Sequence, residues 1–195
     1  MRGRIAALIL AAAVGSPAFA QTPPVRWNPA APENRQVLPT FNYATVESVL
    51  AAIGASSERR GTADRPALAV TFANNRKAAI LFGSCEREGA VCKAISIQAV
   101  WTAPANVPAD RLAANIQRFN QRYAFSRAFL TADGRPALQR YLTADYGFIR
   151  GNLAVNLIVF AGQIDRFVTE VIAVPAQPPA AAPAAPAPTP ATPQS

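Results

Sequence analysis

Histidine is absent from the 195 residues, and that absence removes much of the usual catalytic repertoire. Neither a Ser-His-Asp nor a Cys-His arrangement can be built, and the side chain that most often titrates near neutral pH is missing. Cysteine is scarce as well. Cys85 and Cys92 are the only two, too few for a four-ligand zinc site of the usual His/Cys kind. The eleven acidic residues are scattered and form no paired or repeated motif. Lysine gives way to arginine, with only Lys77 and Lys93 among the nineteen basic residues. Carboxylate, lysine or hydroxyl chemistry is all that remains for an enzyme. The expectation is a non-enzymatic protein without cofactor or metal.

No long hydrophobic run is present either. Ile5 to Val14 is apolar for ten residues, about half of what a membrane-spanning helix needs. That run follows the positive Met1-Arg2-Gly3-Arg4 and precedes Ala18-Phe19-Ala20, an A-x-A cleavage pattern. The three features predict a signal peptide over residues 1–20, with Gln21 as the mature N-terminus and a periplasmic or secreted location. Two nearby cysteines oxidise in such a compartment. Redox switch, metal pair and structural staple are the three readings of Cys85 and Cys92. Their spacing fits neither C-x-x-C redox chemistry nor a zinc site, which favours the staple. Loss of the signal lowers the net charge from +8 to +6. A positive field attracts anions, but export argues against nucleic acid as the partner.

The remaining 175 residues fall into three parts. Residues 21–39 are a Pro-rich lead-in whose one large apolar residue, Trp27, is expected to tuck against the domain. Residues 175–195 hold eight prolines among alanines and no charge. Such a tail cannot bury enough apolar surface to offset its ordering entropy and is expected to be disordered, either solubilising or docking. Between them, residues 40–174 read as one folded domain.

Thr45 is a candidate cap for a first helix, with Val46, Val49, Leu50 and Ile53 at helical spacing and Gly54 as its stop. Leu68, Val70 and Phe72 alternate as a strand, Asn74-Asn75 supplies a turn, and Ala78–Ser84 follows as a second strand. Ile95, Ile97 and Trp101 mark a third strand, and a weak strand signal lies near Ser56–Arg60. Leu112, Ile116, Phe119 and Tyr123 stripe a second helix over Ala109–Tyr123. Phe125–Thr131 and Ala137–Thr143 read as a hairpin around Asp133-Gly134. A last helix, Phe148–Ala173, has a seam of Leu153, Leu157, Phe160, Ile164, Phe167 and Val171. The order helix–three strands–helix–two strands–helix predicts an α+β fold, an antiparallel sheet with helices packed on one face.

Several positions together carry a resemblance. They are the cysteine pair on a hairpin, Asn115-Ile-Gln-Arg-Phe-Asn120 on the second helix, Arg127-Ala-Phe-Leu before Asp133-Gly134, and the stretch around Phe167. Over residues 42–172 the chain resembles the YbjN family. The resemblance implies a fold similar to that of type III secretion chaperones, a binding or regulatory role, and no catalytic residue. Phe119 stands where the family often has tryptophan, and many relatives lack an export signal.

With helices on one face, Thr71, Ser96 and Gln98, with Ala69 and Ala94, fall on the other. Their small, mildly polar side chains form a candidate surface for a protein or peptide partner. Arg111, Arg118 and Arg122 line one stripe of the second helix with Asn115. They are either a solvated face or an anion-binding strip. Asn115 and Asn120 are expected to fasten that helix to neighbouring backbone groups. The last helix is apolar nearly all round from Leu153 to Ile164, so the domain covers both sides or a second protomer in a homodimer covers one. Two alternatives stand beside the binding domain: a cell-envelope hydrolase using Asp133, Asp145 and Asp165, and a structural envelope protein with no specific ligand.

Overall fold

Alternating apolar residues can hide only one face of a sheet, so the strands need helices on that face. The computed structural model, which describes residues 27–86 and 91–173, has this arrangement. The expected signal peptide, residues 21–26 of the lead-in and the Pro/Ala tail from residue 175 onward lie outside the described residues. In chain order the elements are β1 (Val37–Leu38), α1 (Tyr43–Ala52), β2 (Ser56–Gly61), β3 (Pro66–Thr71), β4 (Lys77–Cys85) and β5 (Cys92–Val100). There follow α2 (Ala109–Arg122), β6 (Arg127–Leu130), β7 (Pro136–Thr143), β8 (Phe148–Ile149) and α3 (Arg150–Phe167). Six strands form one antiparallel sheet in the order β2-β3-β4-β5-β7-β6. The fold is α+β with three α-helices on one face.

Four strands, rather than three, separate the first two helices. The weak signal near Ser56–Arg60 is a full edge strand, β2, paired with β3 from Ser56↔Thr71 to Gly61↔Pro66. Its composition hid it, because Ser-Ser-Glu-Arg-Arg-Gly has no apolar alternation and only one face is needed at an edge. Part of the Pro-rich lead-in also joins the fold. Pro32–Arg35 makes a 3-10 turn, β1 pairs with β8, and Trp27 packs against the core. Because Phe148 and Ile149 pair with β1, the last helix begins two residues later than its periodicity suggests. Its last turn, Val168–Ile172, is a π-turn where the Thr169 hydroxyl donates to the Asp165 carbonyl. The first helix is capped by Asn42, not Thr45. Asn42 Oδ1 accepts from the Thr45 N–H at 2.9 Å, and the Thr45 hydroxyl accepts from the Asn42 N–H at 3.2 Å. Thr45 therefore completes a capping box three residues after the cap.

Two of the hairpins share one turn geometry. In β3–β4 the Asn75 N–H bonds to the Phe72 carbonyl and Asn75 takes φ 61°. In β6–β7 the Gly134 N–H bonds to the Thr131 carbonyl with Gly134 at φ 78°. Each is a tight turn closed by a left-handed residue, which Asn and Gly tolerate best.

The core is one cluster. Leu68, Ile80, Ile95, Ile97 and Leu138 of the sheet are fully buried beneath Val49 and Leu50 of α1, Phe119 of α2, and Leu153, Leu157, Phe160 and Phe167 of α3. All six seam residues expected of the last helix are buried.

Cys85 and Cys92 face each other across β4–β5 and form a disulfide. Cys92 is buried and also bridges to Phe41, whose N–H and carbonyl bond to its backbone. The bond closes a short loop, worth about 2.5 kcal/mol on the chain-entropy account. Changing both cysteines to serine is expected to lower unfolding free energy by about 2–3 kcal/mol in urea titrations, with the fold retained because the core is large. An unchanged denaturation midpoint would show that the bond constrains nothing.

Candidate functional site

Strand registry decides which side chains share the helix-free face. Odd-numbered residues of β3 and β4 pair across to even-numbered residues of β5, then to odd-numbered residues of β7. One row across the sheet reads Arg60, Ala67, Leu81, Ser96, Tyr141. The next reads Glu58, Ala69, Ala79, Gln98, Gln139, Arg127. Thr71 lies on the same face, paired with Ser56 on one side and Lys77 on the other. The three positions singled out in the sequence, Thr71, Ser96 and Gln98, therefore share one face, and no helix covers it among the described residues.

The centre of this face is small and the rim is charged. Ala67, Ala69, Ala79 and Gly83 leave the backbone close to the surface, whereas Ala94 beside Gly83 is buried. A shallow hollow of about 360 Å³ lies over Ala69 and Thr71, rimmed by Glu58, Arg60 and Lys77. Ser96 is the polar centre, its hydroxyl accepting from the Gln98 amide at 2.9 Å and the Gln139 amide at 2.7 Å. Beside it stand two exposed apolar side chains, Leu81 and Tyr141, the tyrosine 58 % exposed. Sequence reasoning missed both. The signal was there, since Tyr141 shares parity with Gln139, but Leu81 sits in a run that is apolar at every position.

The arginine stripe of α2 is largely engaged within the protein. Arg118 donates to Asn115 Oδ1, and Arg122 pairs with Glu170 at 2.9 Å. The other Glu170 oxygen accepts from the Tyr123 hydroxyl. Hydrogen bonding at Tyr123, with Glu170 close by, pushes the Arg122 guanidinium further above its usual range. Arg111 is half-buried and is engaged within the protein as well. A hollow of about 290 Å³ is lined by Asn115, Arg118, Phe119, Arg122 and Glu170. The carboxylate on its wall offsets the positive charge an anion would seek.

Asn120 is a fastener. Its Nδ2 donates to the Ala128 carbonyl and its Oδ1 accepts from the Ala128 N–H, both at 2.9 Å. The amide thus takes the place of a neighbouring strand along the outer edge of β6. Asn115 is buried, and its Nδ2 has no partner among the described residues.

The three aspartates of the hydrolase alternative are not brought together. Asp133 lies in the β6–β7 turn, where the Thr131 hydroxyl and then Arg135 hold its carboxyl below the usual range. Asp145 follows the opposite end of β7, and Asp165 on α3 is paired with Arg76 of the β3–β4 hairpin. No group of three or more potential metal-ligating side chains exists among the described residues. No helix there is long and apolar enough to cross a membrane.

The fold is thus an antiparallel sheet with helices on one face and an asparagine clasping its edge strand. The family model of YbjN, described as a putative bacterial sensory transduction regulator, matches residues 42–173, and the chain belongs to that family. No curated protein matches the chain. The family supports a non-catalytic regulatory or chaperone-like domain.

Replacing Asn120 with alanine would leave the Ala128 N–H and carbonyl without partners at the sheet edge. The expected cost is about 1–2 kcal/mol, read as a lower urea midpoint, with the earliest amide exchange in β6. Unchanged exchange at Ala128 would refute the clasp.

Proposed function

We propose that this chain is a non-enzymatic domain exported to the periplasm, where it holds a protein or peptide partner against its open sheet face. The observation that carries the reading is the face itself. Small residues at the centre let another chain approach the backbone, while Leu81 and Tyr141 offer exposed apolar contact beside a polar Ser96. Exposed aromatic residues such as Tyr141 are enriched at protein-recognition surfaces. The YbjN membership supports a regulatory or chaperone-like role. Export rests on the n-region, the apolar stretch and the A-x-A site of residues 1–20. The Cys85–Cys92 disulfide agrees with an oxidising compartment.

The face is tested by placing a photo-crosslinking side chain at Tyr141 in living cells, with the exposed Ser48 of α1 as the off-face control. Adducts are expected at Tyr141 and not at Ser48. Thr71→Arg and Ser96→Arg should each weaken capture at least about tenfold, or ~1.4 kcal/mol, with circular dichroism unchanged. Changing Arg118 and Arg122 to glutamine should leave capture intact. A salt-sensitive loss in that second pair, with none in the first, would assign recognition to the arginine strip instead.

Export has its own test. Mass spectrometry of the protein recovered from cells is expected to give an N-terminus at or near Gln21. Intact chain beginning at Met1 and confined to the cytosol would refute it.

A further inference from the structure

Strand β7 runs on past its outer neighbour. It extends to Thr143, whereas β6 begins at Arg127, opposite Gln139. The Trp101 N–H donates to the Pro136 carbonyl and the Ala144 N–H to the Lys93 carbonyl, so the even positions of this stretch bond to β5. Backbone groups at its odd positions point to the β6 side. Tyr141 is the first odd position beyond β6, and its N–H turns outward with no acceptor among the described residues. A hollow of about 490 Å³ lies there, its wall including Phe125, Ser126, Arg127, Arg140 and Tyr141.

That wall is rich in donors and carries no Asp or Glu. Arg59, Arg60, Arg76, Arg122 and Arg135 each pair with a carboxylate, but Arg127 and Arg140 make no ion pair among the described residues. Arg127 is exposed, its guanidinium resting over the Phe129 ring at 5.5 Å. Arg140 is half-buried and meets neutral acceptors alone. Its Nε donates to Asn156 Oδ1 and its Nη1 to the Phe125 carbonyl, which fixes the guanidinium plane and leaves Nη2 over. A partly buried charge with only neutral partners gains from a counter-ion. Ser126 is 6 % exposed, and its hydroxyl has no partner among the described residues. The hollow beside Arg118 and Arg122 has Glu170 in its wall; this one has no opposing charge.

The two arginines belong to opposite faces of the sheet. Arg140 is tied to Asn156 of α3 on the helix side, and Arg127 stands in the open-face row beside Gln139. The Tyr141 N–H lies on the strand edge that separates them. Charge on both sides discourages a foreign strand from continuing the sheet here, but it suits a small anion. A carboxylate matches the donors, because its two coplanar oxygens fit a guanidinium fork and its single charge answers the half-buried Arg140. We propose that this hollow is a carboxylate-binding site, held by Arg127, Arg140 and the Tyr141 N–H. The Tyr141 side chain stands on the open sheet face, so the carboxylate is one carried by the chain held there, at its C-terminus or on an acidic side chain. That source rests on the peptide partner proposed above; the site itself does not.

The test is an NMR titration of the full chain with four probes. They are an acetylated alanine tripeptide with a free C-terminus, the same tripeptide amidated, a doubly capped tripeptide with a central glutamate, and inorganic phosphate. The two carboxylate probes are expected to shift the Tyr141 and Ser126 amide signals saturably and to leave Ser48 unmoved. The tighter of the two tells chain end from side chain as the source. Arg127→Gln should weaken both at least tenfold with circular dichroism unchanged. Arg140→Gln should do so too, but it also unties Phe125 and Asn156, so the exposed Arg127 carries the test. Equal shifts with the amidated tripeptide, tighter binding of phosphate, or indifference to Arg127→Gln would each overturn the carboxylate site, as would no saturable shift at all. Crosslinked adducts at Tyr141 would then still uphold the sheet-face reading. Saturable carboxylate binding without such adducts would uphold the site and overturn a held chain as its source.

Discussion

Phe167 lies fully buried where three elements converge, its ring 4.8 Å from Trp101 at the end of β5 and edge-on to Phe119 of α2 at 5.2 Å. Phe119 in turn packs at a tilt against Tyr123, whose hydroxyl is tied to Glu170 just beyond α3. This aromatic junction joins the last helix, the second helix and the sheet. Such pairs contribute about 0.5–1.5 kcal/mol each beyond the area they bury. All three helices are collected over the same sheet face, and the opposite face is left without a helix as a consequence. The open surface is thus the other side of the Phe167 packing.

Periodicity made the interior legible. The seam from Leu153 to Val171, the stripe from Leu112 to Phe119 and the alternation of Ile95 and Ile97 all report burial directly, because one side of each element must be apolar. The same logic placed Thr71, Ser96 and Gln98 on the side away from the helices. It failed where burial is not the constraint. β2 is an edge strand with charged residues on both sides, and β1 and β8 are two residues long, so none carries a pattern to read. The choice between Asn42 and Thr45 as cap turned on backbone dihedrals, which residue type alone does not fix. Leu81 and Tyr141 escaped notice because an exposed apolar side chain looks like core until its partner strand is known.

The excess of arginine over lysine also takes a definite shape in the fold. Arg59 makes a bidentate pair with Glu47, binding the edge strand to α1 and holding the Glu47 carboxyl below its usual range. Arg140 lies 4.4 Å over the Phe125 ring while donating to Asn156 and to the Phe125 carbonyl. Arg76 joins the β3–β4 hairpin to Asp165. These contacts use the planar guanidinium fork and its weak hydration, which an ammonium group does not reproduce. Much of the positive charge acts as mortar between elements.

The asparagine clasp on β6 has an effect that reaches beyond its own bonds. At the other end of the sheet, β2 presents Glu58, Arg59 and Arg60, charges that discourage a foreign strand from pairing there. With Asn120 occupying backbone groups of Ala128, both borders of the sheet are discouraged from templating another chain. Strand addition draws its affinity from main-chain bonds and so accepts many sequences. A protein with guarded borders must instead read an incoming molecule through side chains. It gives up promiscuity and gains resistance to growing into fibres.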